Sequence, residues 1–139
     1  MTTAPPIIDE AESLVRQLAT ELTRAREGEC LCCYVARQLD DYPCDGTHRH
    51  AFRFRDVSAP RATALHERLS RLGACCCDCE LFLNGYEPHP RLWTPEREVD
   101  DDGVTLVIDA APPEQLPLCA GTRRGSVRPC SNWVRLRRW

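Results

Sequence analysis

Four cysteines within five residues constrain this chain more than any other feature of its sequence. They lie in the stretch Cys75-Cys76-Cys77-Asp78-Cys79, and the 139-residue chain contains ten cysteines in all. Hydrophobic packing does not explain such a density, because a buried free cysteine packs only as a small apolar side chain. Thiolates are, however, common ligands of zinc in structural sites. The stretch therefore predicts a metal–thiolate centre around which the rest of the chain folds.

Ten cysteines are also typical of secreted, disulfide-stapled proteins, so the expected compartment decides how they are interpreted. Residues 1–10 carry neither a basic start nor the apolar core that a secretory signal needs. The apolar runs at 81–83 and 104–108 are far shorter than a membrane span. We therefore expect a cytoplasmic protein that does not enter a membrane and whose thiols stay reduced.

Charge argues against nucleic-acid binding by the whole surface, because the formal net charge is −3. The distribution is uneven, and every basic residue is an arginine. The tail beyond Cys119 has no acidic residue and carries Arg123, Arg124, Arg128, Arg135, Arg137 and Arg138. This tail is the expected contact surface for an unidentified protein partner or, as a second candidate, for nucleic acid.

Helical periodicity dominates the first half of the chain. Asp9 and Glu12 have the spacing of a capping box, and the apolar residues after them predict a helix over 9–27. A short helix is expected after the cysteine turn at 30–33. The segment 47–57 fits a helix or a strand, and we favour the helix. A further helix is predicted from Ser58, which would cap it, to Gly73.

The second half predicts short strands. The run 81–83 is interpreted as a buried strand, and Asp100 to Gly103 as a hairpin turn before the strand Val104–Ile108. The segment 133–139 is expected to close the core as a strand or helix. The predicted fold is a small α+β, zinc-stabilised single domain over 1–139, with about three helices on a short antiparallel sheet. Its parts are the helix 9–27, a metal-binding core 30–84, and a hairpin with the arginine-rich tail 96–139.

The spacings within the cysteine pairs suit a metal. Cys30 and Cys33 form a C-x-x-C pair, which can place two thiolates on one ion from a tight turn, although the same pair also suits thioredoxin-type redox chemistry. We favour metal, because no βαβ pattern surrounds the pair. Cys77 and Cys79 form a C-x-C pair. His48 and His50 follow Cys44 at a ligand-like distance.

Tetrahedral zinc takes four ligands, so this number of thiols fits two sites better than one. Cys32, Cys75 and Cys76 are the less certain ligands. The spacings alone do not decide how the others divide, and a partition with Cys30, Cys33, Cys77 and Cys79 on one ion stays open.

A resemblance to a known family enters at this point. The first of two motifs is Cys44-Asp45-Gly46-Thr47 with Arg49-His50. After a helix, the second is Cys77-Asp78-Cys79-Glu80-Leu81 with Asn84. Together they resemble the bacterial domain of unknown function 2695 over about 44–84. The family pattern is similar to "C-D-x-T-x-R-H" followed by "G-G-Y-C-D-C-E-V-x-x-N". Ala74-Cys75-Cys76 stands here in place of Gly-Gly-Tyr, which marks Cys75 and Cys76 as thiols beyond that pattern.

The resemblance implies one site, made by Cys44, His50, Cys77 and Cys79, with His48 as an alternative ligand. The cysteines outside the family core then predict a second, Cys₄ site, made by Cys30, Cys33, Cys119 and Cys130. We expect one or two Zn²⁺ ions, no organic cofactor and no catalytic residues, because a site saturated with protein ligands leaves no position for a substrate.

The leading functional hypothesis is a non-enzymatic zinc module that acts through a partner. A thiol-based redox sensor or metal-transfer protein using Cys32 and Cys76 is the alternative. A zinc hydrolase is the second alternative, with Glu80 or Asp78 as its general base. Iron–sulfur ligation is also compatible with the cysteines, although their spacings match none of the usual ferredoxin patterns.

Overall fold

The computed structural model describes residues 6–137. Four α-helices occupy the first half of this range: α1 Pro6–Leu22, α2 Leu31–Asp41, α3 Arg49–Ser58 and α4 Leu65–Arg71. A π-helical turn, Leu81–Gly85, and a 3₁₀ turn, Pro90–Leu92, follow α4. The strands are β1 Tyr86–Pro88, β2 Arg97–Asp101, β3 Val104–Ile108 and β4 Trp133–Arg135. The α+β class predicted from the sequence is confirmed.

The core lies between α2, α3 and α4. The rings of Tyr34 in α2 and Phe54 in α3 lie 5.6 Å apart, tilted against each other. Leu65 and Leu69 come from one face of α4 and are also buried. The core continues to the chain's far end through Trp133, so the C-terminal region packs on the helices although it is distant in sequence.

The two sheets are separate and each has two antiparallel strands. Strand β1 pairs with β4, with Glu87 opposite Val134. Strand β2 pairs with β3, with Val99 opposite Leu106. The β2–β3 turn was predicted correctly, because Asp102 and Gly103 both have positive φ, 49° and 82°, as a two-residue hairpin turn requires. Every side chain of β2 and β3 is exposed, so this hairpin stands outside the core.

Several boundaries differ from the sequence prediction. Helix α1 ends at Leu22 rather than near Gly28, and every side chain from 8 to 22 is exposed. The predicted helix from Ser58 begins only at Leu65, because Ser58 closes α3 instead. The predicted strand at 81–83 was wrong: the segment forms the π-helical turn, in which Leu81 alone of these three is buried.

The predicted terminal element at 133–139 is the strand β4, Trp133–Arg135. Arg138 and Trp139 lie outside the described residues. Within residues 6–137, no helix is both long enough and apolar enough to cross a membrane.

Candidate metal centres

The first centre starts at the N-terminus of α2. Cys30 is the N-cap of this helix, and its Sγ accepts a hydrogen bond of 3.3 Å from the backbone N–H of Cys33. A cysteine sulfur therefore occupies the place where serine or aspartate usually caps a helix, and the partial positive charge of the helix N-terminus would favour its thiolate form. The C-x-x-C spacing places the second thiol, Cys33, one helical turn away on the same side.

Two cysteines from the C-terminal region complete this centre. The Sγ atoms of Cys30, Cys33, Cys119 and Cys130 all lie within 4.8 Å of one another. Cys33 and Cys130 have their Sγ atoms 3.7 Å apart. Zn–S bonds of about 2.3 Å in a tetrahedron would place sulfurs roughly 3.8 Å apart, so the four sulfurs are close to the spacing of a single ion's ligands. We call these four residues the closed cluster.

Hydrogen-bond donors surround the sulfurs of the closed cluster. Cys119 Sγ accepts from the backbone N–H groups of Cys30, at 3.3 Å, and Gly121, at 3.4 Å. Cys33 Sγ accepts from the indole N–H of Trp133 at 3.3 Å. Such donors stabilise negative sulfur, as the second shell of a metal site does.

The thiols of Cys30 and Cys33 differ in pKa. Hydrogen bonding from Cys33 lowers the pKa of the Cys30 thiol to about 5, against the opposing effect of burial. The hydrogen bond to Cys30, together with burial, raises the pKa of Cys33 above its ordinary value. Without an ion, Cys30 is therefore the first of these two thiols to ionise.

Cys32 lies between the two ligating positions but points elsewhere. It is fully buried in the core and does not belong to the closed cluster. Burial raises the pKa of its thiol well above the ordinary value. Cys32 is therefore a packing residue rather than a reactive thiol.

The second centre is made by Cys44, Cys77 and Cys79, whose Sγ atoms also lie within 4.8 Å of one another. The Sγ atoms of Cys77 and Cys79 are 3.2 Å apart. All three residues are partly exposed, in contrast to Cys30, Cys33 and Cys130. We call these three residues the open cluster.

The thiols of the open cluster also differ in pKa. Partial burial by itself raises the pKa of Cys44, but hydrogen bonds from the backbone N–H groups of Cys79 and Gly46 outweigh it and lower the pKa. Hydrogen bonds with Cys77 and Cys44 raise the pKa of Cys79 to about 12. Cys44 is thus the first of these two thiols to ionise in the absence of an ion.

The open cluster lies wholly within one segment of the chain that resembles known sequences. Residues 31–84 match the family described as "Protein of unknown function (DUF2695)". The resemblance read from the Cys44 and Cys77–Cys79 motifs is thereby confirmed. Of the closed cluster, only Cys33 falls inside the DUF2695 segment.

Two curated relatives also match part of the chain. The chain is 39% identical over 56 residues to Uncharacterized protein Mb2294 of Mycobacterium bovis and to Uncharacterized protein Rv2271 of Mycobacterium tuberculosis. Each alignment covers 40% of this chain and 56% of the relative, so the chain spans about half the length of these relatives. No solved structure is significantly similar to the chain.

Asp78 fixes the geometry of the DUF2695 segment, and its role was missed in the sequence analysis. Its carboxylate is 1% exposed and accepts the backbone N–H groups of His50, at 2.8 Å, and Ala51, at 3.0 Å. Its own N–H donates to the carbonyl of Thr47 at 3.0 Å. Asp78 therefore caps the first turn of α3 from another part of the chain and holds Cys77 and Cys79 beside Cys44. With both oxygens engaged, it is unsuited to act as the general base considered above.

The remaining motif residues of the DUF2695 segment shape the turn before α3. Asp45 Oδ1 accepts the backbone N–H of Thr47 at 2.9 Å, and the Arg49 guanidinium donates to the carbonyl of Pro43 at 2.6 Å. Gly46 has φ +84°, a conformation that other residues rarely adopt. This turn presents Cys44 to the two cysteines of the C-x-C pair. An Asx turn is detectable in sequence from Asp-Gly-Thr, whereas the long-range cap by Asp78 is not.

Neither histidine predicted as a ligand joins the open cluster in the DUF2695 segment. His50 Nε2 lies 3.0 Å from the carbonyl of Tyr42 and His48 Nε2 lies 2.8 Å from the carbonyl of Ala74. Both residues are buried, and these contacts hold the rings in the helical core. Among the described residues, the geometry thus brings together three of the four predicted ligands and places His50 and His48 outside their group.

The structure also shows where the remaining cysteines of the predicted sites lie. The four cysteines proposed for the Cys₄ site lie together, and the rival partition is not observed, because the Cys30–Cys33 pair and the Cys77–Cys79 pair belong to different groups. Cys75 and Cys76, just ahead of the C-x-C pair in the DUF2695 segment, are exposed and joined to each other by a disulfide. Their sulfurs and a carboxylate oxygen of Glu80 lie within 4.8 Å of one another.

Proposed function

We propose that this protein is a zinc-binding module in which the closed cluster holds a structural Zn²⁺ ion. The observation that carries the proposal is the convergence of four cysteine sulfurs from three separate places in the chain to within 4.8 Å of one another. Four thiolates in a tetrahedral arrangement are typical of zinc. The ion would join the start of α2 to the segment that ends in β4.

The environment of the closed cluster supports a structural rather than a catalytic ion. Cys30, Cys33 and Cys130 are buried, and four protein ligands leave no position for a substrate. Such a link would add to the pairing of β1 with β4, since the buried side chains of the C-terminal segment are few, Cys130, Asn132 and Trp133 among them. A small domain with so little shared core gains stability from such a cross-link.

The module is proposed to act through a protein partner in a reducing compartment such as the cytoplasm. Helix α1 supports a partner because its apolar side chains recur at helical spacing yet remain exposed, Leu14 by 57% and Leu18 by 49%. The arginines of the tail within the described range are exposed as well and offer a contact for acidic groups: Arg123, Arg124, Arg128, Arg135 and Arg137.

Metal analysis tests the proposal directly. Protein purified without added metal is expected to contain zinc, to be colourless, and to lose its near-ultraviolet circular dichroism when the ion is removed by a chelator at neutral pH. Readdition of zinc should restore the signal. A brown sample containing iron, or a protein that folds identically after complete removal of metal, would contradict a structural zinc ion.

A further inference from the structure

The open cluster provides three ligands where a closed zinc site has four. Among the described residues, no fourth cysteine, histidine or acidic side chain has a ligand atom within 4.8 Å of all three sulfurs. The buried candidates do not supply it, because no ring nitrogen of His48 or His50 lies within that distance of the three sulfurs, and both oxygens of Asp78 accept backbone N–H groups. A fourth ligand from the described residues would therefore have to move into place.

Cys75 and Cys76 are the cysteines nearest in sequence to the Cys77–Cys79 pair of the open cluster. Cys75 precedes Cys77 by two residues, which is the same spacing that brings Cys77 and Cys79 to 3.2 Å. Glu80 connects the two groups in space: its Oε1 lies 3.6 Å from Cys77 Sγ, and one of its carboxylate oxygens lies within 4.8 Å of both sulfurs of the Cys75–Cys76 pair. A short movement of an exposed loop would place one of these sulfurs on the open cluster.

The oxidation state of the pair decides whether that sulfur is available. In the structure Cys75 and Cys76 form a disulfide, and a disulfide sulfur is not the thiolate ligand that zinc takes. Both residues are exposed, so oxidants and reductants of low molecular mass can reach them. The neighbouring cysteines of the open cluster remain free.

We propose that the open cluster is a second zinc site whose retention of metal depends on the redox state of the Cys75–Cys76 pair. In the reduced protein, one thiolate of the pair is the fourth ligand. In the oxidised protein, the disulfide withdraws that ligand, and water or an external thiol takes its position, so that the ion exchanges readily. This site is separate from the closed cluster, and the inference does not depend on the structural ion proposed there.

The switching step is a two-electron oxidation, and a hydroperoxide is the oxidant proposed. The zinc-bound thiolate and the remaining thiol of the Cys75–Cys76 pair together lose two electrons and one proton, the S–S bond forms between them, and the bond to zinc breaks. Hydrogen peroxide accepts the two electrons, that proton and one proton from the solvent, its O–O bond breaks, and two molecules of water leave. A low-molecular-mass dithiol reverses the reaction by thiol–disulfide exchange and is itself oxidised to a disulfide.

The experiment measures zinc transfer from the full-length protein to a chromophoric chelator, before and after stoichiometric peroxide. Reduced protein is expected to hold two zinc ions, and oxidation should weaken the binding of one of them by about 10- to 100-fold, the usual size of effect when support for a metal ligand is lost. Mass spectrometry of the same samples checks that oxidation removes two hydrogens and that the linkage joins Cys75 to Cys76.

Two variants serve as matched tests. In the double variant Cys75→Ser and Cys76→Ser, the second ion should exchange quickly without oxidant, and peroxide should leave the rate unchanged. In Cys44→Ser, the second ion should be absent while the first remains. Cobalt substitution gives an independent readout, because reduced wild-type protein should show stronger sulfur-to-cobalt charge-transfer absorption at the second site than either oxidised protein or the double variant.

The outcomes separate this inference from the proposed structural ion. One zinc ion per reduced chain, unaffected by Cys44→Ser, would overturn the second site and leave the closed cluster intact. One ion that Cys44→Ser abolishes would support the open cluster and contradict the structural ion instead. Two ions with equal exchange rates in the reduced protein, the oxidised protein and the double variant would overturn the redox dependence.

Discussion

The closed and open clusters each begin with two cysteines of one short segment, but they differ in what completes them. Cys30 and Cys33 are joined by Cys119 and Cys130, which come from about a hundred residues away along the chain, whereas within residues 6–137 Cys77 and Cys79 are joined by Cys44 alone. The closed cluster is mostly buried and receives hydrogen bonds from Trp133 and backbone N–H groups. The open cluster is partly exposed on all three members.

The contrast between the two clusters indicates that cysteine ligands alone do not determine how a site would hold an ion. The number of sulfurs and their burial decide whether an ion is locked into the fold or can exchange. The scaffolds differ accordingly, because the open cluster is held by the hydrogen bonds of Asp78 to α3, with or without metal. The two halves of the closed cluster are joined by single hydrogen bonds, such as those from the N–H of Cys30 to Cys119 Sγ and from the N–H of Thr122 to the carbonyl of Gly28, and there the proposed ion would add a further link.

The largest expected effect is that of Cys130→Ser. Loss of one of four ligands should release the structural ion, whose contribution in small zinc domains is about 10–16 kcal/mol and therefore as large as the whole stability of a typical domain. We expect the C-terminal segment to detach and the cooperative thermal transition, followed by circular dichroism, to disappear. Zinc analysis of the same sample should show one ion fewer than the wild type.

Cys44→Ser is the matched control for that change, since it removes one thiol from the open cluster. It should leave the thermal transition within a few degrees of the wild type, because Asp78 still joins the loop to α3. Equal destabilisation by the two serine variants would break the distinction between a structural and an exchangeable site.

Asp78→Ala should have the next largest effect. The change leaves the backbone N–H groups of His50 and Ala51 buried without acceptors, at a cost of about 1–3 kcal/mol each. We expect a loss of about 2–5 kcal/mol in the free energy of unfolding, measured by urea denaturation. Asp78→Asn keeps one acceptor oxygen and should lose roughly half as much. An equal or larger loss in Asp78→Asn would contradict a contribution that divides between two separate acceptor bonds.

Local patterns in the sequence predicted much of the first half of the chain and the hairpin. Periodicity identified helices, and Asp102-Gly103 identified the turn between β2 and β3, because these signals arise from neighbouring residues. The run 81–83 misled the analysis, since three apolar residues fit a strand or a helical turn equally well. Exposure of α1 was also not predictable, because an amphipathic pattern shows which face is apolar but not what covers it.

The candidate sites show the same limit at longer range. Grouping Cys30 and Cys33 with Cys119 and Cys130 followed from a count of ligands left over by the family motif, and the structure brings these four together. A count of ligands could not show where the His48 and His50 rings lie, because this depends on packing that places Nε2 of each ring against a backbone carbonyl, of Ala74 and Tyr42 respectively. Nor does any sequence rule indicate that Asp78 caps a helix that begins about thirty residues earlier.

Trp133→Phe tests the hydrogen bond from the indole N–H to the closed cluster, and its expected effect on stability is smaller. The change removes the indole N–H that lies 3.3 Å from Cys33 Sγ and part of the ring that packs on Phe82, with centroids 5.1 Å apart. We expect a loss of about 1–2 kcal/mol in the free energy of unfolding and faster release of the structural zinc ion. Phe82→Leu disturbs the same packing but keeps the N–H, so it should lower stability without changing zinc release. Identical release rates in both variants would argue against a role for the indole N–H.

The smallest expected effect is that of Cys32→Ala, which separates burial from ligation within α2. Cys32 is as buried as Cys30 and stands next to Cys33, yet its sulfur does not join the closed cluster. Removing it leaves a small cavity, for which we expect a loss of about 1 kcal/mol by urea denaturation and no change in zinc content. Cys33→Ala, one position along the same helix, should instead cost one zinc ion. If Cys32→Ala also lost an ion, the assignment of ligands in the closed cluster would be wrong.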